Sequence, residues 1–367
     1  MNFSFQIGKI AGIPIRLHLT FLLIIPVIAY LFGITSIPLF GKTYGFGEVE
    51  PSLIRWVYSS AFTILLFVCV GLHELGHSAV AMRYGVRIKS ITLYIFGGVA
   101  AMEEIPRDPK AEIQMAIAGP GVSGVLGLGC VLFWSLSSTY LGEEYPFTVL
   151  LWTLGMINLM LMAFNLLPAF PMDGGRILRA WLATRMSYVA ATRQAATIGK
   201  TFAIFMGILG IFSSIFLLII AFFVYIGASE EEKATSISVS LEGIRVRDIM
   251  SSAVNTVPPS TTLGEMVNLM FIEKHRGYPV LQDGKLAGII TITDIQKVPE
   301  EDRNVTTVRE IMIKKIYVID PDVTATDAMK KMAERRIRRL PVLEDGRLVG
   351  ILSRSDLARA IELCSRW

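Results

Sequence analysis

Histidine is nearly absent from this chain, at four in 367 residues, and charged residues make up only 18% against 53% hydrophobic. That balance excludes a single soluble domain, in which about a quarter of the residues are charged. Cysteine is equally scarce. Cys69, Cys130 and Cys364 are odd in number and unrelated in spacing, which excludes a disulfide framework or a cysteine metal site and leaves them as packing residues. A net charge of +4 without a basic stripe sets nucleic acid aside as a partner. No small-residue cleavage signal follows the N-terminal MNFSFQIGKIAGIPIRLH, so the first apolar segment is expected to be retained.

Long apolar runs are what the chain does have. They lie near residues 17–35, 55–83, 111–138 and 147–167 and within 194–227, each near the roughly 20 residues that a helix needs to cross a hydrocarbon core. The last run is long enough for one tilted helix or a hairpin, and a turn near Gly210 to Ser214 is the expectation, giving about six spans. Basic residues mark the cytoplasmic side: Lys9 and Arg16 precede the first span, Arg83, Arg87 and Lys89 follow the second, and Arg176, Arg179, Arg185 and Arg193 follow the fourth. Between the second and third spans, RIKSITLYIFGGVAAM is rich in β-formers and predicts a strand or hairpin at the membrane surface.

The second span contains His73-Glu74-Leu75-Gly76-His77. Residues four apart share a helix face, so both imidazoles can reach one Zn2+ ion while Glu74 takes a proton from a water there. Two histidines and a glutamate in a bilayer helix are costly unless they do something. A hydrolytic zinc site takes three protein ligands and leaves the fourth position to water. His18 and His275 are poorly placed, one at the start of the first span as a capping residue and the other in the polar half. Asp173 is better placed, because Pro168, Pro171, Gly174 and Gly175 around it predict an unwound end of the fourth span at the same depth as His73 and His77.

Beyond an acidic linker at 229–243 the sequence repeats itself with an offset of 62 residues: Asp248-Ile249-Met250 recurs as Glu310-Ile311-Met312, and Pro279-Val280-Leu281 as Pro341-Val342-Leu343. Each copy reads as helix, strand, Asp-Gly turn, strand, helix. Two copies, 244–300 and 306–363, are expected to pack as one pseudo-symmetric α/β unit.

HELGH at 73–77, GGVA at 97–100, AGPGVSG at 118–124 and NLLPAFPMDGG at 165–175 resemble the site-2 protease family of intramembrane metalloproteases over residues 1–228. The resemblance implies His73, His77 and Asp173 as zinc ligands and Glu74 as catalytic base. It implies Asn165 as the residue that steadies the substrate carbonyl or oxyanion, and the strand at Gly97 and Gly98 as the one that pairs with an unwound substrate. Single-span membrane proteins are the implied substrates. The repeat resembles a tandem cystathionine-β-synthase (CBS) pair, in which Thr291 with Asp294 and Ser353 with Asp356 would hold the phosphate and ribose of an adenine nucleotide, ATP or AMP, with Arg335, Arg336, Arg338 and Arg339 close by. The same residue types also cap helices, and many CBS pairs serve only to form homodimers. The fold expected overall is a multi-pass α-helical membrane protein with a C-terminal α/β tandem CBS module, its active-site side and CBS module on the cytoplasmic face of the cell membrane.

Rival chemistry fares worse. Gly121-Val122-Ser123-Gly124 matches the G-x-S-G pattern of rhomboid serine proteases, but no histidine follows Ser123 in the membrane half to serve as base. An aspartyl protease would need a partner for Asp173. A CBS-gated channel or transporter would leave His73, Glu74, His77 and Asp173 as coincidence.

Overall fold

The structure, a computed structural model, describes residues 4–39, 41–94, 97–102 and 106–364. The chain divides into two compact units, Met1–Lys233 and Ala234–Trp367.

The first unit opens on a hairpin that the sequence pattern did not predict, β1 (Ser4–Ile10) and β2 (Ile13–His18). Its turn residues Ala11 and Gly12 both have positive φ, the backbone of a two-residue hairpin loop. His18 then caps α1 (Leu19–Ile34), its Nδ1 accepting from Thr20 N at 3.3 Å. A short hairpin, β3 (Ile37–Leu39) and β4 (Lys42–Tyr44), precedes α2 (Ser52–Arg83). The predicted β segment folds as β5 (Ile88–Tyr94) and β6 (Gly97–Met102), paired antiparallel; positions 95 and 96 of that stretch lie outside the described residues. Five helices follow: α3 (Pro109–Leu141), α4 (Pro146–Asn165), α5 (Asp173–Ala183), α6 (Tyr188–Ser213) and α7 (Ile215–Ser240). They begin where the local chemistry favours a start. Asp108 accepts from Ala111 N ahead of Pro109, Pro146 opens α4, and Ser187 caps α6.

Helices α2, α3, α4 and α6 are long and apolar enough to cross a membrane, and α1 is a shorter apolar helix. Their outer faces carry large apolar side chains such as Phe133, 64% exposed, and Phe212, 86% exposed, a surface suited to lipid rather than water. The last apolar run breaks at Ser214, whose backbone is extended, and α7 returns along α6: Gly207 faces Ala221, and Lys200 Nζ meets Glu232 Oε2 at 2.6 Å. The reversal falls at the expected hairpin position. Residues 229–240, read from sequence as linker, continue α7, because Glu231 and Glu232 pair with Arg179 and Lys200 and carry the helix beyond its apolar stretch.

The sheet order is β1-β2-β5-β6, with β2 and β5 parallel and Ile15 opposite Ile91. Ile13, Ile15 and Ile91 pack with Leu75, and Leu93 packs with Phe21 and Phe67, so the sheet lies against α2 between the two histidines and before them. Strand β6 is an edge, with no strand on its outer side among the described residues.

The second unit contains α8 (Val246–Ile249), α9 (Leu263–Glu273), β7 (Gly277–Gln282), β8 (Lys285–Thr291) and α10 (Ile292–Ile295), then their repeats α11 (Val308–Ile311), α12 (Ala325–Glu334), β9 (Arg339–Glu344), β10 (Arg347–Ser353) and α13 (Arg354–Cys364). The 62-residue offset is a structural symmetry. Bridges Ser251↔Ile351 and Ile289↔Ile313 are images of each other, as are Arg245↔Thr324 and Thr262↔Thr307. Each copy lends its leading segment to the other: Val246 packs with Ile319, Leu340 and Val342, while Val308 packs with Val257, Tyr278 and Val280. The expected pseudo-symmetric unit is thus two cores, each built from both copies.

Candidate metal centre

The helical repeat of α2 stacks His73 under His77, and the turn 166–172 after α4 brings Asp173 to them as the first residue of α5. His73 Nε2 and His77 Nε2 lie 3.1 Å apart, and Asp173 Oδ2 lies 3.4 Å from the first and 3.2 Å from the second. All three residues are buried. No ion is needed to see what fits: bonds of 2.0–2.1 Å to a tetrahedral zinc place its ligand atoms about 3.3 Å from one another. The donor chemistry agrees. Met115 O, which can only accept, lies 2.7 Å from His77 Nδ1, so that nitrogen carries the proton and Nε2 presents its lone pair. Gly119 is what lets α3 come this close, since a Cβ there would sit 2.7 Å from His73 Nε2 and closer still to His77.

Glu74 points to the other side of the pair, toward the sheet. A Cβ on Gly98 would lie 3.0 Å from Glu74 Cδ and 3.2 Å from its Oε1, so edge strand β6 runs directly past the carboxylate. Gly98 and the glutamate are therefore brought together, whereas the Cβ position of Gly97, one residue earlier on the strand, meets nothing within 4 Å. Asn165 is the last residue of α4, and its Nδ2 donates to Leu161 O at 3.0 Å. The backbone of Leu166 beside it packs on Gly174, which keeps the end of α4 next to the start of α5.

In the second unit the four polar residues singled out from sequence act as caps. Thr291 N and Oγ1 donate to Asp294 Oδ2 at 3.2 and 2.5 Å at the start of α10, and Ser353 N and Oγ donate to Asp356 Oδ2 at 2.8 and 2.6 Å at the start of α13. Burial pushes the Asp294 carboxyl up, but the hydrogen bonds from Thr291 and Lys297 outweigh it and hold it below the usual range. Near these caps Arg339 is half-buried, and burial together with the charges of Arg276 and Arg338 pushes its guanidinium down. Arg339 Nη1 sits 3.1 Å from the Cβ position of Gly277, over the first copy. Arg335 is engaged elsewhere, stacked on Tyr317 at 5.0 Å.

Sequence reasoning missed three contributors to the first site: Gly119, Met115 through its carbonyl, and a buried ion-pair cluster. Arg179 Nε donates to Glu112 Oε1 at 2.7 Å and Arg179 Nη1 to Glu231 Oε1 at 2.6 Å. The signal for the cluster was Glu112, a carboxylate at the start of an apolar span.

Residues 61–147 and 140–209 match peptidase family M50, and residues 246–301 and 308–363 match the CBS domain family. The chain is 39% identical over 364 residues to the zinc metalloprotease MJ0392 of Methanocaldococcus jannaschii, covering 99% of this chain and 97% of that protein. Its C-terminal part is 36% identical over 115 residues to the CBS domain-containing protein YhcV of Bacillus subtilis, covering 31% of this chain and 82% of that protein. Among solved structures, the site-2 protease from Methanocaldococcus jannaschii aligns with 63% of this chain and 95% of its own, at 40% identity and a TM-score of 0.43. A HELGH helix, a converging aspartate and a doubled C-terminal motif thus have one common explanation: the chain belongs to peptidase family M50, as a membrane zinc metalloprotease of the site-2 protease type with a C-terminal pair of CBS domains.

Proposed function

We propose that the enzyme hydrolyses peptide bonds within membrane-spanning segments of single-span proteins, with His73, His77 and Asp173 holding zinc and Glu74 serving as base. The observation that carries this is the convergence of three buried ligand atoms within 4.8 Å of one another, beside an edge strand that touches Glu74. Zinc, when bound, supplies a Lewis acid that polarises the scissile carbonyl and brings the pKa of water down to about 7. Glu74 takes the proton of the attacking water and returns it to the departing amine nitrogen. Strand β6, which contains Gly97 and Gly98, offers unpaired backbone groups to an extended substrate, with no side chain at Gly98 to hold that strand away from Glu74. A substrate helix must unwind to pair in this way, which favours segments with helix-breaking residues. Asn165 is assigned to the oxyanion, a role that requires its amide to turn from Leu161 O.

On the same reading residues 1–228 are the protease domain and 244–300 and 306–363 the two CBS domains. The basic residues after the second and fourth spans support a cytoplasmic position for the active-site side and the CBS module. Reconstituted protein should carry one zinc per chain and cut a single-span substrate inside its apolar segment, with both properties lost in His77→Ala and Asp173→Ala. Cleavage that survives chelation, or cuts confined to the extramembrane part of the substrate, would overturn the proposal.

The CBS pair is proposed to bind an adenine nucleotide, ATP or AMP, in the region of Asp294, Asp356 and Arg339. The charges of Arg276 and Arg338 act against that of Arg339 there, and a phosphate relieves the repulsion. Equilibrium dialysis with labelled ATP and AMP should show binding to the parent and at least tenfold weaker binding to Arg339→Ala, the loss of one charge-assisted contact of about 1.5–3 kcal/mol. Equal binding by both proteins would remove Arg339 from the site. Bound nucleotide changes the cleavage rate only if it favours one arrangement of the protein over another, so equal rates with and without saturating nucleotide would exclude regulation. Self-association through the CBS pair belongs to the same reading, and the mass of the purified particle tests it.

A further inference from the structure

The two histidines are held from behind in different ways. His77 Nδ1 faces the carbonyl of Met115 at 2.7 Å, whereas His73 Nδ1 faces the hydroxyl of Ser123 at 2.9 Å. Ser123 is fully buried in α3 and His73 is 5% exposed, so neither ring nitrogen nor hydroxyl has water as a substitute partner. A serine inside an apolar helix ordinarily bonds back to the carbonyl four residues earlier. Among the described residues Ser123 Oγ has no hydrogen-bond partner other than His73 Nδ1.

We infer that Ser123, the serine of the leftover G-x-S-G pattern, is a positioning residue for the metal: its hydroxyl fixes the ring of His73 so that Nε2 faces Asp173 and His77. The physical need is specific to this histidine. With Nε2 given to a metal, the proton of a neutral imidazole resides on Nδ1, and in a dry interior that N–H requires an acceptor. Met115 O provides it for His77, and the Ser123 hydroxyl is what stands at the corresponding atom of His73. A hydroxyl differs from a carbonyl in that it also donates. His73 can therefore keep a hydrogen bond at Nδ1 when its proton sits on Nε2 instead, and its ring stays aimed at the cluster whether or not a metal is present. His77, bonded to a pure acceptor, has one arrangement. The alternative is that Ser123 is simply a small residue permitting close helix packing, and a variant that keeps the size but not the hydroxyl distinguishes the two.

The inference rests on His73 being a ligand, and the test separates the two. Ser123→Ala keeps the volume close to that of serine and removes the hydroxyl. Zinc affinity, measured by competition with a chromophoric chelator on the full-length detergent-purified chain, is expected to fall 10–100-fold in Ser123→Ala, and the chelated protein is expected to unfold slightly below the parent, since the metal-free ring loses the same hydrogen bond. Histidine 15N spectra of zinc-loaded protein should also lose one of two hydrogen-bonded Nδ1–H signals. Parent-like zinc affinity in Ser123→Ala would overturn the inference, and so would a loss of affinity with both Nδ1–H signals unchanged, which is what a packing role produces. Full zinc binding by His73→Ala would instead sink the ligand assignment itself.

Discussion

Glu74→Gln is expected to lower kcat by about 10²–10⁴-fold, the range supplied by a positioned acid–base group, while zinc stays bound. The argument is one of position. The cluster atoms are His73 Nε2, His77 Nε2 and Asp173 Oδ2, and Glu74 stands apart from them with its Cδ and Oε1 against Gly98. Glutamine fills the same volume and preserves the contact with β6 but cannot take the water's proton. Zinc analysis and a cleavage assay on the same preparation check both halves. Unimpaired cleavage would place the base elsewhere, and loss of zinc would make Glu74 a ligand rather than a base.

Arg179→Met is expected to destabilise the membrane unit by about 3–5 kcal/mol, the cost of breaking one side of a buried ion pair. Glu112 is 3% exposed, and two nitrogens of Arg179 bond its Oε1. Phe170 and Tyr188 enclose the guanidinium, their ring centres 5.1 and 5.0 Å from its carbon. Removing the cation leaves a buried carboxylate without its ion-pair partner. Combining Arg179→Met with Glu112→Gln should restore much of the loss, since the remaining partner carboxylate, Glu231, is partly exposed and no fully buried charge is then left stranded. Zinc affinity should follow stability, because Arg179 and Asp173 share the short helix α5. Unfolding in detergent checks the first effect and chelator competition the second; wild-type stability in Arg179→Met would show that the cluster contributes nothing.

Much of this was legible from local pattern. The i, i+4 histidines, the Pro- and Gly-rich turn ahead of α5 and the 62-residue offset are short-range signals, and each marks the feature that the fold contains. The parts that were not legible join distant segments. Strand β2 pairs with β5 across two intervening helices, and nothing in Ile13–His18 specifies that partner. Arg179 looked like one more cytoplasmic cation, yet it meets Glu112 from 67 residues away. Ser123 offered a nucleophile's pattern and instead meets a histidine on another helix. The polar pairs of the CBS copies show a different limit, since Thr291 with Asp294 satisfies a helix start whether or not a ligand is present.

The exchange between the two CBS copies has a consequence for ancestry and for engineering. A lone copy, 244–300, holds α8 but not the α11 segment that its own core takes from residue 308. Such a fragment could complete itself only by borrowing from a second chain, as an isologous dimer with true twofold symmetry. Joining two copies through the connection between Ile295 and Val308 makes that encounter intramolecular, at an effective concentration on the order of millimolar. Joined copies, unlike the halves of an isologous dimer, are free to differ, as Arg339 differs from Gly277 at the matching position.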